Sequence, residues 1–484
     1  MIAIILISVF IIALIGIGIW GMRKTSTLGD FFLGGRTIGP WISAFAYGTT
    51  YFSAVLFIGF AGKLGWGFGI NALWIAGGNA VFGALLAWIV LGRRTRRMTQ
   101  NLDVMTMPEF LHERFQGKYI KIITACIIFV FLLPYSASVF KGLGHLFEVN
   151  FHISYDIALL IMILITGIYL ILGGYFAITL TDFIQGLIML VGSVAMIVVM
   201  VGKAGGWSQS LVTILDKYPV HVPAAKQPGI LTIASLVFMT SFGVWGLPQM
   251  VQKFYAVRDE KMIGKAAVVT LVFALIIGFV AYFNGALTHV FYDKLPMVNG
   301  QPAFDRLIPG MMTTHLPEGL MALILLLVLS ASMSTLSSLV LVSSSSVAID
   351  LYKGHVNPQI SKENSLAMMR FLSGIFIIIS YLIARYELAF IVTLMSVSWG
   401  AVAGSFMAPY FYALYWKRTT KAGIKAGMAT GLGLALFLFF LWGPKDTPLA
   451  ASLAMIVPFF VIPLVSWFTT PPDKEIIDKA FENI

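Results

Sequence analysis

The sequence predicts an all-α integral membrane protein, a single bundle of about thirteen membrane-crossing helices, on three observations. Hydrophobic residues make up 59% of the 484 and charged residues only 11%, with a mean hydropathy of +0.90, far more apolar than a domain surrounded by water. Apolar runs of roughly 20 residues recur almost from end to end, each able to cross about 30 Å of hydrocarbon as a helix rising about 1.5 Å per residue. The runs do not alternate: Ala266 to Phe283 has no period-two pattern, which excludes a transmembrane barrel.

The first run, Ile2 to Gly21, has no cation before it and is followed by Arg23 and Lys24. That order predicts an anchored helix with its N-terminus outside, not a cleaved signal peptide. The other spans centre near residues 50, 81, 132, 163, 190, 241, 277, 332, 376, 401, 432 and 459. An odd number puts the two termini on opposite faces. With the N-terminus outside, the loops and tail that become cytoplasmic carry 23 of the 32 Lys and Arg residues, among them Arg36, Arg93, Arg114, Lys121, Lys253 and Lys417. The excess of cations predicts an N-out, C-in topology in a cell membrane, and makes the net charge of +11 a record of topology, not a nucleic-acid footprint. The polar stretches 204–229 and 292–317 read as loops, and the residues after Pro472 as a solvated cytoplasmic tail. The lone cysteine, Cys126, lies in an apolar span, so intrachain disulfides, thiolate clusters and redox pairs are excluded.

Function must then reside in the few polar groups at membrane depth. Asp182 lies a few residues into the sixth span beside Thr181 and Gln185; it reads either as a functional carboxylate or as an interfacial cap of the helix start. The second span carries Tyr47-Gly-Thr-Thr-Tyr-Phe-Ser53, a glycine and hydroxyl residues in an apolar helix. Such a stretch can unwind and offer carbonyls to a cation, or it can be a small-residue packing face. In the ninth span Ser334, Ser337 and Ser338 fall at i, i+3 and i+4 on one face, a turn beyond the carbonyl of Ala331. Uncharged hard oxygens suit sodium, although serines also serve helix packing. Counted from the cytoplasmic ends, Thr49 and Thr335 lie at equal depth, about 18 Å in, with Asp182 closer to the cytoplasm beside Ser337 and Ser338. The seventh span, Ser241-Phe-Gly-Val-Trp-Gly-Leu-Pro-Gln249, predicts a second interruption, or else a single proline kink. Spans two and seven are five apart, so they take matching places in two inverted five-helix units, the pattern of a secondary transporter with a midplane site.

Several motifs in order, Asp30-Phe-Phe-Leu-Gly-Gly-Arg36, Thr181-Asp182-Phe-Ile-Gln185-Gly186, Met333-Ser334-Thr335-Leu336-Ser337, Asp350-Leu-Tyr352 and Tyr415-Trp-Lys-Arg418, resemble the sodium:solute symporter family. The resemblance covers most of the chain and implies a LeuT-type fold, a 5+5 inverted-repeat core with one helix before it and two after. The implied boundaries within the single domain 1–484 are an extra helix in 1–30, repeats in 38–203 and 230–416, two further helices in 421–470 and a tail in 471–484. It implies a main sodium site from the carbonyls of Thr49, Phe52 and Ala331 and the hydroxyls of Ser334 and Thr335, and a second sodium at Asp182, Ser337 and Ser338. It also points to Tyr51, Ser53, Tyr135, Trp245, Pro248 and Gln249 as lining a solute pocket. The nearest similarity is to sodium/proline and sodium/pantothenate symporters. Where proline carriers have Asp-Met-Ser this chain has Tyr51-Phe52-Ser53, and the fourth-span arginine of sialic-acid carriers is replaced by Tyr135. Lys141, further out, either attracts a carboxylate or snorkels to the outer interface.

The expectation is a sodium-coupled symporter that imports a small organic solute, carboxylate-bearing as in an amino acid, pantothenate or another monocarboxylate, by alternating access, with sodium, the solute and the bilayer as its partners. The alternatives are a channel or solute sensor on the same fold, and a proton-coupled carrier. A channel needs a continuous polar lining, whereas the polar groups here cluster at one depth. No paired carboxylates, and no nucleophile beside a base, mark the spans as an enzyme.

Overall fold

The structure, a computed structural model, describes residues 2–24, 32–172, 175–298 and 300–484; Asp30 and Phe31 of the first motif lie outside them. Among the described residues, eleven helical stretches are long and apolar enough to cross a membrane. Two expected centres are not among the eleven. The helix around residue 50, Pro40–Tyr51, is cut short by a break, and that around residue 163 is the apolar helix Tyr155–Leu172. One stretch, Val55–Asn101, joins the end of the second span to the third and is divided at Gly69, whose φ of 54° is a conformation that glycine adopts without steric cost.

The layering follows exposure. Ile391–Tyr415 and Glu318–Val356 have 94% and 83% of their apolar windows buried, whereas Ile2–Gly21 has 22%. The eleventh and ninth spans are thus the centre of the bundle and the first lies at its edge. The outward surface is itself apolar, with Ile12, Val191, Phe371 and Phe440 among its exposed side chains, as lipid as the outer solvent demands. Helices close on one another where side chains are missing: a Cβ on Gly65 would stand 2.2 Å from the carbonyl carbon of Gly285, so these two backbones touch.

Both interruptions are present, and each is explained locally. Pro40 sits at the first turn of its helix, where it lacks only a donor that would be unpaired anyway. The helix ends at Phe52, which is extended (φ −113°, ψ 121°). It restarts with its first donors satisfied by side chains, Ala54 N–H giving to Ser332 Oγ at 3.2 Å and Val55 N–H to Ser53 Oγ at 3.2 Å. At membrane depth no water could do this. In the seventh span, Ile230–Phe242 runs through a tight turn at Gly243–Trp245 to an extended Leu247 (φ −83°, ψ 120°), and Pro248 opens the next helix, Pro248–Tyr255. Gly246 is required there, since a Cβ would fall 2.7 Å from Met407 N and 2.9 Å from Ala403 Cα.

The two polar stretches expected as loops hold helices, Trp207–His221 and Phe304–His315, the second preceded by a hairpin pairing Met297–Val298 with Gln301–Pro302. In the second helix Leu307, Ile308, Met311 and Met312 share one buried face, an amphipathic spacing that average polarity hides. Asp182 is not a cap: its helix, Tyr175–Lys203, begins two turns earlier, and the side chain is fully buried.

Candidate functional site

The ninth span passes the break in the second at hydrogen-bonding distance. Ser334 Oγ donates to Thr49 Oγ1 at 2.8 Å, and Thr335 Oγ1 lies 3.4 Å from Thr49 O, 3.1 Å from Thr50 O and 3.1 Å from Ala331 O. Thr50 pairs with Ser338 and Ala54 with Ser332, so rising numbers on one helix meet falling numbers on the other, the register of antiparallel neighbours. Thr49, Phe52, Ala331, Ser334 and Thr335 are all buried, with Phe52 at the break itself. A hydroxyl owns one proton and donates one full hydrogen bond. Three carbonyls around Thr335 exceed what it can serve, and a monovalent cation among them would take up the surplus lone pairs. The donor set, neutral hard oxygens only, fits sodium.

The second set is arranged differently. Ser337 Oγ turns back to Ser334 O at 2.9 Å, while Asp182 and Ser338 converge on a group the sequence assigned to a cytoplasmic loop. Lys253 Nζ lies 3.3 Å from Asp182 Oδ2 and 3.0 Å from Ser338 Oγ, with both charged side chains almost fully buried. It sits in the last turn of Pro248–Tyr255, directly beyond the seventh-span break. Among the described residues, Asp182 Oδ1 has no hydrogen-bond partner. A sodium on that oxygen would share one carboxylate with an ammonium; two unit charges about 4 Å apart repel by roughly 4 kcal/mol at an effective dielectric of about 20. The implied second sodium therefore does not fit the residues as they stand. Lys253 carried one usable signal in the sequence: it stands four residues after Gln249 and directly before Phe254-Tyr255-Ala256-Val257, an apolar run unlike a solvated loop.

Of the six residues expected to line the solute pocket, Tyr51, Ser53 and Tyr135 meet around one small cavity, whose walls also include Asn79, Thr240, Tyr282 and Trp399 among other, apolar residues. Its volume of about 20 Å³ holds one water, so an organic solute enters only when the walls part. Tyr51 OH donates to Thr240 O at 2.6 Å, and Asn79 Oδ1 accepts from Thr240 Oγ1 at 2.7 Å and Ser241 Oγ at 3.1 Å. The Trp399 ring stands 6.5 Å from that of Tyr51 and 5.8 Å from that of Tyr135. None of the residues lining this cavity carries a formal charge. The other three lie elsewhere. Trp245 Nε1 donates to Phe82 O at 2.9 Å, Gln249 is buried outside the cavity lining, and Pro248 lines a separate cavity with Thr106, Gln252 and Asp350. The third-span Asn79 and eleventh-span Trp399 escaped the sequence reading because single residues in long apolar runs carry no pattern.

Charged side chains are tied down on both sides of the site. Towards the predicted outer face, Lys141 Nζ is 3.2 Å from Asp305 and donates to Ala389 O at 3.0 Å, so it neither snorkels nor lines the small cavity beside Tyr51. His145 Nε2 lies 2.9 Å from Glu387, and that hydrogen bond holds the Glu387 carboxyl below the ordinary carboxylate range. Towards the predicted inner face, Arg36 donates to Thr99 O at 3.1 Å, Val104 O at 2.7 Å and Tyr255 O at 3.3 Å. Asp350 accepts from Thr106 Oγ1 at 2.8 Å, with Lys121 at 3.6 Å.

Comparison with known proteins agrees with this architecture. The sodium:solute symporter family matches residues 31–431. A sodium/proline symporter of Staphylococcus aureus (strain bovine RF122 / ET3-1) is 30% identical over 483 residues, covering 95% of this chain and 90% of the relative. Among solved structures, a Na+-coupled sialic acid symporter superposes with a TM-score of 0.81 over 98% of both chains at 17% identity. A nucleobase-cation-symport-1 family transporter does so with 0.56, over 94% of this chain and 99% of that one, at 13% identity. These neighbours share the LeuT-type fold. With a family match over most of its length, a relative similar from end to end and sodium-suited oxygens at the broken helix, the chain belongs to the sodium:solute symporter family and is a multi-pass, sodium-coupled symporter of a small solute.

Proposed function

We propose that the chain imports a compact, carboxylate-bearing solute of about the size of proline, coupled to one sodium held by the carbonyls of Thr49, Phe52 and Ala331 and the hydroxyls of Ser334 and Thr335. The observation that carries this reading is the Thr335 hydroxyl among the carbonyls of Thr49, Thr50 and Ala331. Sodium at that point joins the second and ninth spans, which favours the arrangement that accepts solute. Linkage then requires solute to raise sodium affinity by the factor by which sodium raises solute affinity.

The solute class rests on two supports. The cavity of Tyr51, Ser53, Asn79, Tyr135, Thr240, Tyr282 and Trp399 offers aromatic walls and neutral polar groups, suited to a small body with an apolar ring or branch. With no arginine or lysine in its lining, a carboxylate would be balanced by the sodium next to it. The relatives named sodium/proline symporters have the same class of solute. The topology proposed with this function is N-out and C-in, with repeats over 38–203 and 230–416.

Uptake into proteoliposomes tests the proposal. Radiolabelled proline should accumulate only under an inward sodium gradient, and pantothenate and short monocarboxylates should be tried as competitors. Accumulation that persists unchanged when potassium replaces sodium would refute the coupling. Competition only by cationic or sugar solutes would refute the solute class.

A further inference from the structure

Lys253 is a cation fixed inside the transport machinery, and the preceding argument leaves it without a role. It projects from the helix that restarts after the seventh-span break and reaches Asp182 of the sixth span and Ser338 of the ninth. Ser338 in turn lies 3.2 Å from Thr50 Oγ1, whose carbonyl belongs to the main cluster. The ammonium is thus surrounded by the carboxylate and hydroxyl oxygens that would otherwise hold an ion, at the distances of hydrogen bonds. Its other near neighbour is the Tyr175 ring, with Nζ 5.3 Å from the centroid, which also favours a cation.

We propose that the Lys253 ammonium is a built-in substitute for a second sodium, so that this chain binds one sodium per solute, and that removing the lysine uncovers a latent second cation site at Asp182 and Ser338. The inference rests on the main site proposed above, because that site supplies the one ion. Physically, a tethered ammonium gives Asp182 its counter-charge at every stage of the cycle, whereas an exchangeable ion would do so only when bound. The seventh-span segment is therefore held to the sixth and ninth spans whether or not sodium is present.

The test is equilibrium binding of 22Na+ to the purified full chain, with no solute added. Wild type should bind one ion per chain along a hyperbolic curve, and Lys253→Met should bind two, with a Hill coefficient rising above 1. The Lys253→Met, Asp182→Asn pair should return to one. In parallel, the rise in melting temperature on exchanging potassium for sodium should be larger for Lys253→Met than for wild type, because a second ion then stabilises the fold. Two ions bound by wild type would overturn the inference without reference to any variant, as would a Lys253→Met protein that binds one. No sodium bound by wild type would instead refute the main site, a result distinguishable from both.

Discussion

Ser334 donates to Thr49 across 2.8 Å, fastening the middle of the ninth span to the last turn before the break in the second. A single hydrogen bond between membrane helices contributes only about 0.6 kcal/mol, too little to govern which way a transporter faces. An ion shared by both helices, as proposed above, would add the larger and switchable part. Thr335→Ala removes the hydroxyl that meets three carbonyls and is expected to raise the sodium concentration for half-maximal uptake tenfold or more, equivalent to about 1.4 kcal/mol. Thr335→Ser should stay near wild type. Sodium titration of initial uptake, normalised to the amount of protein in the membrane, checks this, and an unchanged half-saturation in the alanine variant would contradict the site.

Asn79, in the wall of the proposed solute cavity, accepts from the hydroxyls of Thr240 and Ser241. Asn79→Leu leaves Thr240 and Ser241 competing for backbone acceptors in a buried place, a loss of about 1–3 kcal/mol. The expected result is a solute KM at least tenfold higher, with the sodium dependence at saturating solute little altered. Competition curves against unlabelled solute measure it.

Asp305→Asn breaks the buried pair with Lys141, 3.2 Å apart, and strands a cation; breaking such a pair typically costs about 3–5 kcal/mol in a folded protein. The outer side should therefore open more readily. A cysteine placed at Ser53, in a background where Cys126 is changed to serine, should react faster with a membrane-impermeant thiol reagent added outside. An equal rate in both proteins would show that this pair does not hold the outer side shut.

Arg36 belongs to the first motif and gathers three backbone carbonyls from two other parts of the chain. Lysine has the charge but not the planar fork of donors. Arg36→Lys should thus cut uptake by roughly tenfold while 22Na+ binding is retained, as expected if the inner closure and not the ion site is damaged. Loss of both together would instead place Arg36 in the fold's stability.

The sequence by itself determined the solvent, the helical class and the two places where helices break. Apolar length is a local quantity, and so are the glycine, proline and hydroxyl residues at Gly48 to Ser53 and at Gly243 to Pro248. Equal depth in two oppositely running helices was enough to bring Thr49 towards Thr335. Only the tertiary structure decided the rest. Tyr51 and Tyr135 face one cavity while Trp245 and Pro248 face away from it, because the rotation of a helix about its axis is set by its neighbours and most of these helices are apolar on every side. Lys253 was indistinguishable by charge count from a lysine in a cytoplasmic loop. Its burial against Asp182 depends on how far a helix reaches into the bundle, and one turn of depth changes a topological signal into part of the site.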